Sequence, residues 1–147
     1  MKKIFLVLSL SLVVVLTTSA RPATKNDPDV ERVFNQLFAG ASNVAWSKIE
    51  GGFQKASFIW GDHQTIAFFD ADAKLVGSIR GLFFNQLPLS VIMSVNDSFK
   101  DHIVLEVREI TNEEGVNYTL LIEYKNKKYK IRVNSLGDLL EKEKVKK

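Results

Sequence analysis

Phe53 to Leu82 reads FQKASFIWGDHQTIAFFDADAKLVGSIRGL, and this stretch decides the fold. Three runs, Phe53–Trp60, Gln64–Phe69 and Leu75–Leu82, are rich in the aromatic and β-branched side chains that suit a pleated, half-buried surface. Gly61-Asp62 and Asp70-Ala71-Asp72 separate them, and these residue types favour tight turns. Gaps this short suit antiparallel neighbours, since a parallel pair needs a crossover of a dozen residues or more.

The pattern extends in both directions. Upstream, Val44–Ile49 reads as another strand, closed by the Gly51-Gly52 turn. Before it, Asn26-Asp27-Pro28 marks a helix start, with Asp27 as N-cap and Pro28 in the first turn. Val30, Val33, Phe34, Leu37 and Phe38 recur at helical spacing until Gly40 ends the helix. Downstream, a second helix opens at Pro88 with Val91, Ile92, Val95 and Phe99 as its apolar stripe. Strands return at Ile103–Ile110, Val116–Tyr124 and Lys127–Val133, and a short last element falls near Leu136–Leu140.

The same order therefore occurs twice. Val30, Asn35 and Phe38 align with Val91, Asn96 and Phe99 at an offset of 61, and Gly51, Phe58, Phe69 and Asp70 align with Gly115, Ile122, Val133 and Asn134 at 64. The expected fold class is α+β: two tandem half-repeats, each a helix plus antiparallel strands, with both helices packed on one face of the sheet. The half-repeats run from about 28 to 84 and from 85 to 140, forming a single domain, and 141–147 reads as a charged, solvated tail.

The beginning of the chain speaks to compartment. Lys2 and Lys3 precede an apolar run from Ile4 to Leu16, and small residues follow up to Ala20. That run is shorter than the roughly 20 residues a membrane-crossing helix needs. It reads as a cleavable signal peptide over 1–20, followed by a linker over 21–27. The expected location is the bacterial periplasm, with secretion as the variant, and no stable membrane insertion is expected after cleavage. The chain has no cysteine, so neither lipid attachment at an N-terminal cysteine nor a disulfide is available. Cleavage also removes two of the 20 Lys and Arg against 17 Asp and Glu, so the mature charge is near neutral. A nucleic-acid partner is not expected on that balance.

Several short stretches together resemble the PepSY-like family of bacterial periplasmic proteins, whose fold is related to that of the β-lactamase inhibitor protein. They are Val44-Ala45-Trp46, Phe53 through Phe58, Ile66-Ala67-Phe68-Phe69-Asp70, Leu87-Pro88, and Tyr129-Lys130-Ile131 leading to Gly137-Asp138-Leu139-Leu140. The resemblance covers nearly all of the mature chain, with one departure: Ala73 stands where the family often has a glycine after the turn. It implies inhibitory or binding modules rather than enzymes, and no catalytic residue to carry over.

The residues themselves point the same way. Only His63 and His102 could act as histidine bases, and both are expected in loops. There is no H-E-x-x-H pair, no G-x-S-x-G elbow and no phosphate-cradling glycine loop. Asp70-Ala71-Asp72 starts like a calcium loop, but Lys74 follows where ligands are required, so a hairpin turn is favoured. No enzyme activity, cofactor or metal is expected, and a hydrolase is the least favoured reading.

Strand alternation is more informative. Tyr118, Leu120, Ile122 and Tyr124 share one face, as do Tyr129, Ile131 and Val133, which marks the core side. The same register puts Ala56, Phe58, Trp60, Ala67 and Phe69 in the core of the first half. The outward set is then Phe53, Lys55, Ile59, Ile66 and Phe68, with Lys128, Lys130 and Arg132 on the second half. Apolar residues beside basic ones suggest a face that binds an unidentified envelope protein or peptide, or that makes a homodimer of a structural envelope protein. The competing expectation is that Gly81–Phe84 or the helix ends cover it. A membrane-surface role for Leu82-Phe83-Phe84 is less favoured, because Arg80 is the only basic residue nearby.

Overall fold

The computed structural model describes residues 27–146, so the expected signal peptide and nearly all of the linker lie outside the described residues. Helix α1 spans Pro28–Leu37; the Asp27 carboxylate caps it by accepting the Asp29 N–H at 2.9 Å. Helix α2 spans Leu89–Ser98 behind Pro88. Each helix is followed by four strands: β1 Ser42–Lys48, β2 Gln54–Trp60, β3 His63–Phe69 and β4 Leu75–Gly81 after α1, then β5 Ile103–Asn112, β6 Gly115–Tyr124, β7 Lys127–Asn134 and β8 Leu139–Lys144 after α2.

All eight strands form one antiparallel sheet in chain order from β1 to β8. The α+β reading holds. A 3₁₀ turn at Phe84–Gln86 leads from β4 into α2. Because strand side chains alternate, one face of the sheet receives both helices. On it, Val30, Phe34 and Phe38 of α1 and its end pack with Ala56, Phe58, Ala67 and Phe69. Val91, Val95 and Phe99 pack with Val107, Leu120, Ile122, Ile131 and Val133. These are two separate cores, one under each helix.

The end of the chain differs from expectation. The charged segment 141–147 is not simply a solvated tail, because β8 carries the sheet on to Lys144, with Arg132 opposite Glu141, Ile131 opposite Lys142 and Lys130 opposite Glu143. The alternation of Glu and Lys is itself a period-two strand pattern. It sets acids beside the basic row of β7 and swings Lys142 to the other face, where its Nζ lies 5.0 Å from the Phe99 ring centre and 4.8 Å from that of Tyr129.

Candidate functional site: the outer face of the sheet

The ladder registers give the rows of the face opposite the helices. Ser57, Ile66, Ile79 and Ile110 lie side by side across β2 to β5. Lys55, Phe68, Gly77 and Asn112 form the neighbouring row, and Ile59, Gln64, Gly81 and Arg108 the row on the other side. A bulge in β5 between Val104 and Glu106 breaks the alternation there and leaves Leu105 44% exposed. Ser57, Ile66 and Ile79 of the first row and all of the Ile59 row line an open groove of about 830 Å³. Its apolar lining includes Ile59, Ile66, Ile79, Leu82, Phe83 and Leu105, and its polar lining includes Asn43, Gln64, Asp62, Glu106 and Arg108.

The sequence-derived residues divide into groups on this face. Ile59 and Ile66 line the groove itself. Lys55 stands opposite Phe68 in the next row, and Phe53 lies against the Gly51 turn, where a Cβ on the glycine would meet its ring at 3.1 Å. All five are half-buried. Lys128, Lys130 and Arg132 lie on β7, with three strands between them and β3. Arg132 pairs with Glu141 at 3.3 Å, Lys130 stands opposite Glu143, and Lys128 stands opposite Glu123. The basic row is thus matched by acids on β8 and β6; it meets the apolar rows only at their β5 end, where Ile110 shares a small pocket with Lys130 and Arg132, and where Arg108, Thr119 and Arg132 continue one row. Reading 141–147 as a tail concealed these partners.

The Gly81–Phe84 segment forms part of the wall. Gly81, Leu82 and Phe83 line the groove, and Phe83 is 71% exposed. Sequence reasoning missed Ile79, Leu105 and Arg108. Gly77 and Gly81 blur the alternation of β4, and a bulge has no period to find.

No family model matches the chain, and no curated protein does. Solved structures do. A BLIP-like protein from Bacteroides fragilis superposes with a TM-score of 0.73 at 20% identity, over 84% of this chain and 89% of the other. A protein described as a candidate periplasmic protein from Bacteroides eggerthii gives 0.72 at 20%, over 83% and 91%. A DUF2874 family protein from Bacteroides uniformis gives 0.72 at 20%, over 82% and 91%. The fold is BLIP-like.

In this BLIP-like sheet, the helix-side face carries a polar row between the two cores. Arg80 and Glu109 are directly opposite on β4 and β5 and form an ion pair of 2.8 Å, with side chains 33% and 19% exposed. Thr65 and Tyr118 flank them in the same row. Burial, and next the neighbouring Glu109 charge, push the Tyr118 phenol above its usual range. The Arg80 Nε is buried without a hydrogen-bond partner.

Each histidine makes local contacts. His63 opens β3; its Nε2 is 3.4 Å from the Gln86 amide nitrogen and its ring is 6.4 Å from that of Phe83. His102 Nδ1 lies 2.7 Å from the Phe99 carbonyl oxygen. Among the described residues, no group of three or more His, Cys, Asp or Glu is placed to hold a metal ion, and no helix is long and apolar enough to cross a membrane.

Proposed function

We propose that this chain is an exported, periplasmic binding module of the PepSY-like kind, non-catalytic and without a lipid anchor, that grips a protein or peptide in the outer groove. The observation that carries the reading is the groove, an apolar floor of Ile59, Ile66, Ile79 and Leu105 rimmed by Asp62, Glu106 and Arg108. An apolar centre with a polar rim is the usual layout of a protein-binding patch. The fold shared with a BLIP-like protein supports a module of this type, and the proposal extends to inhibition of the protein it grips.

The test is capture from envelope extract with wild type and with Ile59→Glu/Ile66→Glu, both of which must first give the same circular dichroism spectrum. The variant is expected to lose a partner that wild type retains. Equal recovery from both would overturn the groove as the binding face.

A further inference from the structure

We propose that the molecule bends at the β4–β5 joint, and that this bend sets the width of the outer groove. A sheet flexes most easily about an axis parallel to its strands, where interstrand hydrogen bonds act as the hinge. A helix packed across several strands stiffens it. Here α1 clamps its own half through one core and α2 clamps the other through a second, and the two cores do not merge. What lies between them along the β4–β5 ladder on the helix side is the Arg80–Glu109 row, and only at its end does Leu82, just past β4, pack onto the second core. Charged groups that are still partly wet have a broader choice of geometry than a close-packed apolar core.

The other side of the joint carries little bulk on β4, although its Gly77 end is close-packed, where an added Cβ would meet the Thr111 carbonyl oxygen at 3.0 Å. The outward positions of β4 are Gly77, Ile79 and Gly81, so two of its three places bear no side chain that would resist closing. At Gly81 an added Cβ would find only the Gln64 carbonyl, at 3.8 Å. The groove straddles this line, taking Ile59 and Ile66 from one side and Leu105 and Arg108 from the other. A bend at the joint therefore opens or closes it. That consequence for binding rests on the groove being the binding face, whereas the bend itself can be measured without any partner.

Since the chain has no cysteine, paired labels are easy to place. Spin labels at Gln36→Cys and Asn96→Cys, exposed on α1 and α2, report the distance across the joint. Labels at Gln36→Cys and Asp72→Cys, both exposed in the first half, supply the control. The cross-joint distance distribution is expected to be broader than the control. It should narrow in Arg80→Met/Glu109→Leu, which fills the row with apolar side chains, and broaden further in Glu109→Asp, which keeps the charges but shortens the reach. A wild-type cross-joint distribution as narrow as the control would overturn the bend. A broad one that neither variant alters would overturn the role of this row. Both results are read on free protein, so a failure to find a partner bears only on the binding reading.

Discussion

The two halves of the sheet meet the same packing requirement with different side chains. Under α1 the sheet supplies two alanines, Ala56 and Ala67, beside the rings of Phe58 and Phe69, and the helix and its end add the rings of Phe34 and Phe38. Phe34 stands edge-on to Phe58 with ring centres 4.8 Å apart and lies 5.1 Å from Trp46 and 5.4 Å from Phe38. Under α2 the position equivalent to Phe34 is Val95, and the sheet supplies the bulk through Leu120, Ile122 and Ile131. Small and large side chains thus change places between matched positions, one way for each half to reach the close packing that a core requires.

That contrast predicts unequal effects at matched positions, and the largest is at Phe34. Phe34→Ala should lower stability by about 3–5 kcal/mol, because a cavity opens under a ring that alanines cannot refill. Val95→Ala removes less volume and should cost about 2 kcal/mol. Denaturant melts of the two variants decide it, and equal losses would break the asymmetry.

The turns after β3 and β7 sharpen it next. Asp70 Oδ1 accepts the N–H groups of Asp72 at 3.0 Å and Lys74 at 2.8 Å; Asn134 Oδ1 accepts those of Leu136 at 3.0 Å and Asp138 at 2.9 Å. Both turns need a left-handed residue in the same place, which is Ala73 at φ 61° in one and Gly137 at φ 97° in the other. The departure noted at Ala73 therefore leaves the turn intact with a strained alanine in it. Gly137→Ala would put a Cβ 2.6 Å from the Ser90 carbonyl oxygen and should cost about 2–4 kcal/mol in the same melts. Ala73→Gly relieves about 1 kcal/mol of strain but frees the unfolded chain and loses a buried methyl, so a net change near zero is expected.

How much of this was legible follows from which signals have a period. The strands, both helices and the inward set from Ala56 to Val133 follow from alternation and helical spacing, and the structure places them within a few residues of the expected bounds. The short last element expected near Leu136–Leu140 catches only the start of β8, because Glu141 to Lys144 carries charge at every position and hydrophobic alternation could not mark it. The groove was legible only through Ile59, Ile66 and the Gly81–Phe84 segment. Its other half depends on a bulge at Leu105 and on the register that sets Ile79 beside Ile66, and neither leaves a trace in the local sequence. The Arg80–Glu109 pair joins residues from different halves, so only the sheet order brings it together.

The pair between the halves comes third in size. Arg80→Met strands a carboxylate that is 19% exposed and should cost about 1–3 kcal/mol. Replacing both partners, as Arg80→Met/Glu109→Leu, should restore most of that loss, because apolar side chains of similar volume often substitute for an ion pair without penalty. A double-mutant cycle measures the coupling. If the double variant is as unstable as the single one, the row supports the fold through more than its charges.

The smallest effect belongs to a further ion pair between the halves, from the β3–β4 turn to the β5–β6 turn. Lys74 Nζ lies 2.8 Å from Glu113 Oε1, but the side chains are 65% and 73% exposed. The hydrogen bond to Lys74, and then its charge, lower the Glu113 pKa, and the same contact raises that of Lys74. For a carboxylate with a lowered folded pKa, any stabilisation is present above its unfolded pKa and is lost as pH falls through the folded value. Because salt screens exposed charges, Glu113→Gln should change the melting midpoint slightly at low ionic strength and near neutral pH, and not at all in high salt or in acid. A loss that persists in high salt would mean that the two turns are joined by something firmer than an ion pair. The joint between the halves would then be braced at this end, and the bend would have to open towards the other.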